Sequence, residues 1–284
     1  MPKFGIGITS WNYPQYFRPC IETLAKNDLR DVDVHIFQEG RFCHIEHTDQ
    51  RAHPDNIGYA KDAFDGADMP HKFWHQNVWC LGYYLNRVQM LDLLASNYDS
   101  FLTLEGDVIS SSHMVRVVRQ LIAQFGDNPR VGLISPSQKL LCKPEDREQY
   151  WDAVRLDEGR GPRLCVEAMT RETWQAIRPQ YVEYGKVIAS VPYHMICRQH
   201  IRDAVRVWAE SRGSDITEVS GDTALYRTMF MAGKLRMMAL VNRCTNVGDH
   251  GLNCNPEVLK EQGDGHQPLY EDEPPIGKFR IVEV

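Results

Sequence analysis

Alternation between strand-like and helix-like runs is the feature that most restricts the fold of this 284-residue chain. Short apolar runs typical of buried strands recur along it, at residues 4–9, 33–38, 100–104, 131–135 and 235–241. Between them, apolar residues recur at helical spacing, at residues 14–27, 77–96, 113–125 and 221–233. This order predicts an α/β fold in which a mostly parallel sheet carries helices on both faces.

The segments between these runs predict less regular structure. Residues 41–75 are polar and rich in His, Asp, Gly and Pro, which predicts a loop or weak structure, and residues 142–163 read as a charged excursion. From residue 246 onward the chain is rich in Gly, Asn, Pro and Asp. No internal repeat or linker is present, so we predict a single domain over residues 1–284, with residues 246–284 as a C-terminal tail that packs near the functional site.

Composition and charge narrow the classes of partner. The chain is 43% apolar and 25% charged, as is usual for a globular protein. Its formal net charge of −6 argues against a long polyanion as partner. Arginine-rich segments at residues 198–212 and 234–243 would be the source of a local positive groove if a nucleic acid were bound. Charge therefore disfavours a nucleic-acid partner without excluding it.

The cysteines and the apolar runs indicate the compartment. Eight cysteines are scattered without a C-x-x-C pair, so zinc-ribbon and redox motifs are not expected. Several lie in apolar runs, which predicts reduced core residues and a cytoplasmic location. The first residues have no basic segment followed by a long apolar one, so we expect no signal peptide. No stretch reaches 18 apolar residues, so no membrane span is expected.

The sharpest candidate for chemistry is Glu105-Gly106-Asp107 at the end of an apolar strand. Two carboxylates at positions i and i+2 can present oxygens to one hard cation, and Mg²⁺ or Mn²⁺ takes such ligands together with phosphates. Open α/β folds also place their ligands at the carboxyl ends of their strands. The alternative is an acidic corner that is only solvated, because short acidic motifs are common.

The surroundings of this motif resemble the GT-A fold glycosyltransferases, in particular family-2-like enzymes. In that family a helix with a G-x-x-x-R-N-like segment leads into a strand that ends in D-x-D, and a capped helix follows. The matching segments here are Gly82-Tyr83-Tyr84-Leu85-Asn86-Arg87, the E-G-D motif and three serines at 110–112 that can cap the next helix. Residues 8–17, which include the end of the first predicted strand and the turn after it, also resemble the family, as do residues 37–40 at the end of the second predicted strand. Two departures are a Glu in the first motif position and a reversed Asn-Arg order.

The resemblance implies roles for two further segments. In the family, an acidic residue at a helix start is the general base on the acceptor hydroxyl, which assigns that role to Asp222 and implies inversion. A helix-capping Asp with a purely structural role is the alternative. Many members use a late His or Asp as an extra metal ligand, which points to His250 or Asp249 in a glycine-flanked loop. That loop could equally be a glycine-rich turn with an exposed His.

Donor contacts follow from the same resemblance. Thr9 and Ser10 end the first strand, where the nucleotide base or ribose would lie, and Glu39 follows the second strand, where the family often binds the base. Asn86 and Arg87 would face the ribose or the phosphates. Glu105 and Gly106 complete the predicted donor site. Each residue also has an ordinary interpretation as a polar turn residue or a helix surface charge.

Together these features predict a single-domain GT-A-like enzyme that moves a sugar from a nucleotide-sugar, by family habit a UDP-sugar, to a hydroxyl acceptor. Mn²⁺ or Mg²⁺ would be held by Glu105, Asp107 and His250. The acceptor is left open among glycans, lipid-linked or other small molecules, proteins and hydroxymethylated bases of DNA, as in phage DNA modification. The alternatives are a sugar nucleotidyltransferase and a non-catalytic module that binds a nucleotide or a carbohydrate.

Overall fold

The computed structural model describes residues 4–47, 53–136, 142–157, 165–192, 195–196, 198–213, 219, 221–248 and 269–283. Thirteen strands are present within these ranges. They are β1 Phe4–Ser10, β2 Val32–Gln38, β3 Phe42–Cys43, β4 His71–Gln76, β5 Trp79–Cys80, β6 Ser100–Glu105, β7 Val108–Ser110, β8 Val131–Ser135, β9 Ala153–Asp157, β10 Val166–Thr170, β11 Leu235–Ala239, β12 Cys244–Asn246 and β13 Arg280–Ile281.

Eight α-helices are described between these strands. They are α1 Pro14–Leu24, α2 Pro54–Gly66, α3 Gly82–Asn97, α4 Met114–Phe125, α5 Arg147–Tyr150, α6 Arg171–Ile188, α7 Gln199–Glu210 and α8 Gly221–Met231. None of the helices in the described ranges combines the length and the apolar character needed to cross a membrane.

Nine of the described strands form one sheet with the order β13-β9-β11-β8-β10-β6-β1-β2-β4. Five of its pairings are parallel, and three, which involve β10 and β9, are antiparallel. The prediction of an α/β fold with a mostly parallel sheet is therefore confirmed. Because β4, β2, β1 and β6 all run the same way, their carboxyl ends meet at one edge of the sheet.

Apolar side chains cover both faces of the sheet. On one face, α1, α2 and α4 pack their buried residues against β1, β2 and β6. On the other face, α3, α6, α7 and α8 form a second cluster around Trp174, Tyr181 and Tyr184. This double-sided burial explains why the central strands are continuous apolar runs, without the alternation expected of a half-exposed strand.

The two glycines of β1 allow α3 to pack closely on the sheet. A Cβ at Gly5 would lie 2.4 Å from the ring of Tyr98, and one at Gly7 would lie 2.7 Å from Leu94 and Met90. Larger residues at these positions would push the helix away from β1. The G-x-G pattern that opens the chain therefore serves helix–strand packing.

Several strands lie in segments for which the sequence predicts no strand, among them β3 and β4 in the segment at 41–75 and β9 in the segment at 142–163. β4, at the edge of the sheet, and α2 both fall within residues 41–75, where only loop or weak structure is expected. Among the described strands β4 is an edge strand that pairs with β2, and its polar His-Lys-Phe-Trp-His-Gln sequence lacks an apolar run. β9 falls within the charged excursion at 142–163 and pairs antiparallel with β11.

The start of α4 is capped by a distant residue. The serines at 110–112 suggest a local cap, but the N-cap residue His113 makes no side-chain capping bond. Instead Asn27 Oδ1 accepts a hydrogen bond from Val115 N at 2.9 Å, and Asn27 Nδ2 donates to Ser111 O at 3.0 Å. One buried amide side chain therefore ties α4 to the end of α1.

The described C-terminal segment, residues 269–283, packs along α4 and ends as β13 against β9. Gln124 Nε2 donates to Phe279 O at 2.7 Å, and Gln120 Nε2 donates to Ile276 O at 3.1 Å. Glu273 is buried and forms an ion pair at 2.5 Å with Arg243, which is also buried. These contacts fasten the segment across the sheet.

Candidate active site

The Glu105-Gly106-Asp107 motif lies at the carboxyl edge of the parallel strands. Glu105 ends β6 beside Thr9 of β1, and Asp107 is in the turn between β6 and β7. All three motif residues are partly exposed, whereas Leu104 before them and Val108 after them are buried. Burial of the flanking apolar residues fixes the backbone on both sides of the motif.

Gly106 keeps the motif close to β1. A Cβ there would lie 2.9 Å from the carbonyl oxygen of Thr9 and 3.2 Å from the ring of Phe17. Any larger residue would force the turn away from the end of β1. The glycine between the two carboxylates is therefore required by close packing against the strand that the sequence assigns to the donor site.

A turn from the late segment lies directly on Asp107. β12 pairs antiparallel with β7, and Val247 N donates to Asp107 O at 2.8 Å. Asn246 Nδ2 donates to Asp107 Oδ1 at 3.0 Å. A Cβ on Gly248 would lie only 2.1 Å from Asp107 Oδ2. Residues 246–248 therefore close over the second carboxylate of the motif.

Glu105 is held by a chain of side chains that begins in the protein interior. Tyr83 Oη, from the first turn of α3, donates to Glu105 Oε1 at 2.8 Å. Arg87, one helical turn further on, donates to Tyr83 Oη and forms an ion pair at 2.5 Å with Glu167 of β10. The Arg87 and Glu167 side chains are 4% and 0% exposed, so the pair lies in the core.

A second polar cluster lies where β2 ends. Glu39 is buried, and its Oε2 accepts a hydrogen bond from Leu81 N at 2.8 Å. Burial raises the pKa of Glu39 to about 7, although the hydrogen bond from Leu81 lowers it. Asn86 is also buried; it donates to Phe37 O at 3.0 Å and accepts from Asn77 Nδ2 at 3.0 Å. These contacts fix the start of α3 against the end of β2.

Several predicted site residues meet at this edge of the sheet. Thr9 and Ser10 end β1, Glu39 directly follows β2, and Asn86 and Arg87 lie on α3. Asp222 is in the first turn of α8, and its side chain lies outside the described part of the structure. Asp249 and His250 also lie outside the described residues.

The sequence does not identify three residues that hold the motif in place: Tyr83 and Asn246 contact it directly, and Glu167 is linked to it through Arg87 and Tyr83. Tyr83 and Glu167 were not assigned to the site, and Asn246 was identified only as part of a glycine-rich loop. Tyr83 and Arg87 are four residues apart on α3, so helical spacing could have linked them. No local signal connects Glu167 or Asn246 to the motif, because those contacts depend on how the strands are stacked.

The arginines at 234–243 do not form a basic groove. Arg236 is fully buried and pairs with Asp157, and Arg243 is buried and pairs with Glu273. Their charges are compensated inside the protein, so the sequence-based suggestion of a positive surface from this segment is wrong. The segment at residues 198–212 carries charges of both signs. Arg206 lies near Asp203 and Glu210, and Arg212 pairs with Glu183.

Comparisons with known proteins match the fold but not the sequence. No family model matches the chain, and no curated protein matches it in sequence. Among solved structures, GalNAc-T7 with UDP, GalNAc and Mn²⁺ matches with a TM-score of 0.51 and 7% identity, over 87% of this chain and 43% of that one. The chain has a GT-A fold. At this identity the match concerns the architecture alone.

Two other GT-A structures are similar at lower scores. S. aureus TarS 1-349 matches with a TM-score of 0.49 and 9% identity, over 85% of this chain and 59% of that one. Galactosyltransferase LgtC, in complex with donor and acceptor sugar analogs, matches with a TM-score of 0.42 and 10% identity, over 82% and 72%. The chain spans 43–59% of the length of the TarS chains that it matches.

Proposed function

We propose that this protein is a glycosyltransferase that moves a sugar from a UDP-sugar to a hydroxyl acceptor with the help of a divalent cation. The observation that carries the proposal is the position of Glu105 and Asp107. Within a GT-A fold, both partly exposed carboxylates lie at the carboxyl edge of the parallel strands, and the turn at residues 246–248 closes over one of them.

The carboxylates at this edge fit Mn²⁺ or Mg²⁺. Both ions take oxygen ligands, and Mg²⁺ in particular is often held by one or two carboxylates together with substrate phosphates. The described residues include no group of three or more His, Cys, Asp or Glu placed to hold a metal. Glu105 and Asp107 would therefore hold the ion with the donor diphosphate, and His250 is proposed as a further ligand. When bound, the cation would neutralise charge on the departing nucleotide diphosphate.

Donor contacts are proposed in two groups. Thr9 and Gly106 are partly exposed next to Glu105 and would contact the nucleotide directly, together with Ser10, which ends β1 and is largely buried. Glu39, Asn86 and Arg87 are buried and already bonded within the protein, so we propose that they shape the wall of the nucleotide site. A rigid wall preserves the donor geometry without reordering side chains on binding.

Asp222 is proposed as the general base. A carboxylate at the start of α8 is stabilised as an anion by the helix dipole, which suits a group that must accept the acceptor's proton. Direct attack by that hydroxyl on the anomeric carbon gives inversion. The acceptor classes under consideration are glycans, lipid-linked or other small molecules, proteins and hydroxymethylated DNA bases. We also propose a cytoplasmic location, which is in keeping with cysteines that are present as thiols in the described ranges.

The first experiment is donor hydrolysis with a panel of UDP-, GDP-, CMP- and dTDP-sugars, each with Mn²⁺ and with EDTA. We expect slow release of UDP that depends on Mn²⁺. Calorimetry with the free nucleotides separates the alternatives. Binding without hydrolysis points to a missing acceptor or a binding module, and the absence of any nucleotide binding contradicts the transferase proposal.

Two substitutions then separate binding from chemistry. Asp107→Ala should abolish Mn²⁺-dependent binding of UDP, whereas Asp222→Asn should retain binding and lose transfer. Asp127→Asn is a matched control, because Asp127 is an exposed carboxylate between the end of α4 and the start of β8, at the amino edge of the sheet and opposite the site. Transfer at the wild-type rate by both site variants would show that the site is assigned incorrectly.

A further inference from the structure

The hydrogen bonds that reach Glu105 have only one possible direction. An arginine side chain can only donate, so Tyr83 Oη must accept the bond from Arg87. A tyrosine hydroxyl has a single proton, which is then available for Glu105 Oε1 at 2.8 Å. The order of donation is therefore Arg87 to Tyr83 to Glu105.

This chain of bonds is anchored by a buried ion pair. Glu167 on β10 accepts from Arg87 at 2.5 Å, and both side chains lie in the core. The Arg87 guanidinium also lies 5.4 Å from the centre of the Tyr83 ring, where a cation–π attraction stabilises the contact. A positive charge next to the hydroxyl oxygen polarises the O–H bond and makes Tyr83 a stronger donor to a carboxylate.

The arrangement restricts the movement of the Glu105 side chain. A glutamate side chain has one more rotatable bond than an aspartate, so its carboxylate samples more positions. The bond from Tyr83 removes much of that freedom by fixing Oε1 relative to α3. An oriented carboxylate binds a cation or a ribose hydroxyl at a smaller entropic cost.

We propose that Tyr83 is a positioning residue that holds the Glu105 carboxylate in the orientation required by the nucleotide and its divalent cation. Arg87 and Glu167 act through Tyr83 by fixing its oxygen. This inference rests on the proposed function, because it assumes that Glu105 contacts the metal or the donor.

The test compares Tyr83→Phe with the wild type. The variant keeps the ring and its contact with Arg87 and removes only the hydroxyl. The quantity measured is the Mn²⁺ concentration that gives half-maximal binding of UDP, and calorimetry is the method that detects the binding. We expect that concentration to rise about tenfold, as is typical when a hydrogen bond to a metal-binding side chain is removed.

Tyr84→Phe is the matched control. Tyr84 is the next residue on α3, and its hydroxyl donates to Tyr181 O at 2.7 Å on the face that packs against α6. Loss of this hydroxyl removes a buried tyrosine hydrogen bond to a backbone carbonyl but leaves the bond to Glu105 in place. We expect a lower melting temperature for Tyr84→Phe with an unchanged requirement for Mn²⁺.

A double-mutant cycle distinguishes positioning from a general structural role. If Tyr83 acts through the Glu105 carboxylate, Tyr83→Phe should have little further effect in a Glu105→Gln background, whereas a structural role would add its full cost. No Mn²⁺-dependent binding of UDP by the wild type would contradict the proposed function itself. If the wild type does bind UDP in this way, either of two results would overturn the positioning role. One is an equal Mn²⁺ requirement in Tyr83→Phe and the wild type, and the other is a full additive loss of binding in the double variant.

Discussion

Gly248→Ala should disable the candidate site with little effect on folding. An added Cβ would lie 2.1 Å from Asp107 Oδ2 and 2.9 Å from Asp107 Cγ, and Cβ atoms do not come closer than 3.0 Å to their neighbours. The carboxylate or the turn must therefore move by about 1 Å. Asp107 has a short, rotatable side chain, so we expect the carboxylate to swing away from the turn and lose its bond from Asn246.

The magnitude follows from this displacement. Loss of one hydrogen bond costs about 1 kcal/mol of the free energy of unfolding, which most domains tolerate. A displacement of about 1 Å in a group that positions a substrate can reduce the rate by about 100-fold. We therefore expect kcat/KM for sugar transfer or donor hydrolysis to fall about 100-fold while the melting temperature changes by only a few degrees.

The assay measures donor hydrolysis and Mn²⁺-dependent binding of UDP by wild type, Gly248→Ala and Gly277→Ala. Gly277 is a suitable control because nothing lies within 4 Å of an added Cβ there. Wild-type UDP binding and hydrolysis in a folded Gly248→Ala variant would refute the argument that Asp107 needs the space above it. A large loss of stability would instead show that the turn, and not the carboxylate, had moved.

Three other predictions concern stability. Glu273→Ala should lower the free energy of unfolding by about 3–5 kcal/mol, measured by urea unfolding, because it leaves Arg243 buried without its carboxylate partner; a change below 1 kcal/mol would contradict this. Gly185→Ala should cost about 1–3 kcal/mol in the same measurement, because the Cβ would lie 1.6 Å from the ring of Tyr84, and wild-type stability would show that α3 and α6 can separate freely. Burial lowers the pKa of His35 to about 4 from an ordinary 6.5, so the unfolded chain binds more protons between these values and stability should fall by roughly 2 kcal/mol as pH drops from 6.5 to 4. His35→Gln should flatten that pH dependence, and an unchanged slope would assign it to other groups.

The sequence does not reveal the surroundings that lower the pKa of His35, which are its burial and the neighbouring His75. His35 Nδ1 lies 3.0 Å from His75 Nε2, and His35 Nε2 lies 2.6 Å from Tyr98 Oη, which donates to Asp33 Oδ2. These residues belong to β2, β4 and the loop after α3. Only the pairing of β4 with β2 brings the two imidazoles together.

Local periodicity predicts the central strands and most of the helices well. The strand at residues 131–135 and the start of α1 at Pro14 agree with the structure, because buried parallel strands are continuous apolar runs and helices repeat their apolar residues every three or four positions. The same signal is weak for β4 and β9. An edge strand with one partner and a strand inside a charged segment can both be polar, since neither must bury both faces.

Some features of the candidate site can likewise be predicted from the sequence, and others depend on the tertiary structure. The sequence alone predicts the position of Glu105-Gly106-Asp107 at the end of a buried strand, because the apolar run and the two acidic residues that follow it are close together within residues 100–107. What holds those carboxylates is a matter of tertiary structure: Asn246 lies 139 positions beyond Asp107 in the chain. Tyr83, likewise, reaches Glu105 only because α3 packs on β1 beside β6.

The amino-acid sequence thus determined the α/β class and the edge of the sheet at which the carboxylates emerge, since both depend on residues that are neighbours in the chain. Tertiary structure alone decided which partners orient the carboxylates and which charges are neutralised in the core. Those contacts depend on the order of the strands in the sheet. That order is set by the summed burial of apolar surface over the whole sheet, so the residues that meet carry no periodic pattern in the sequence.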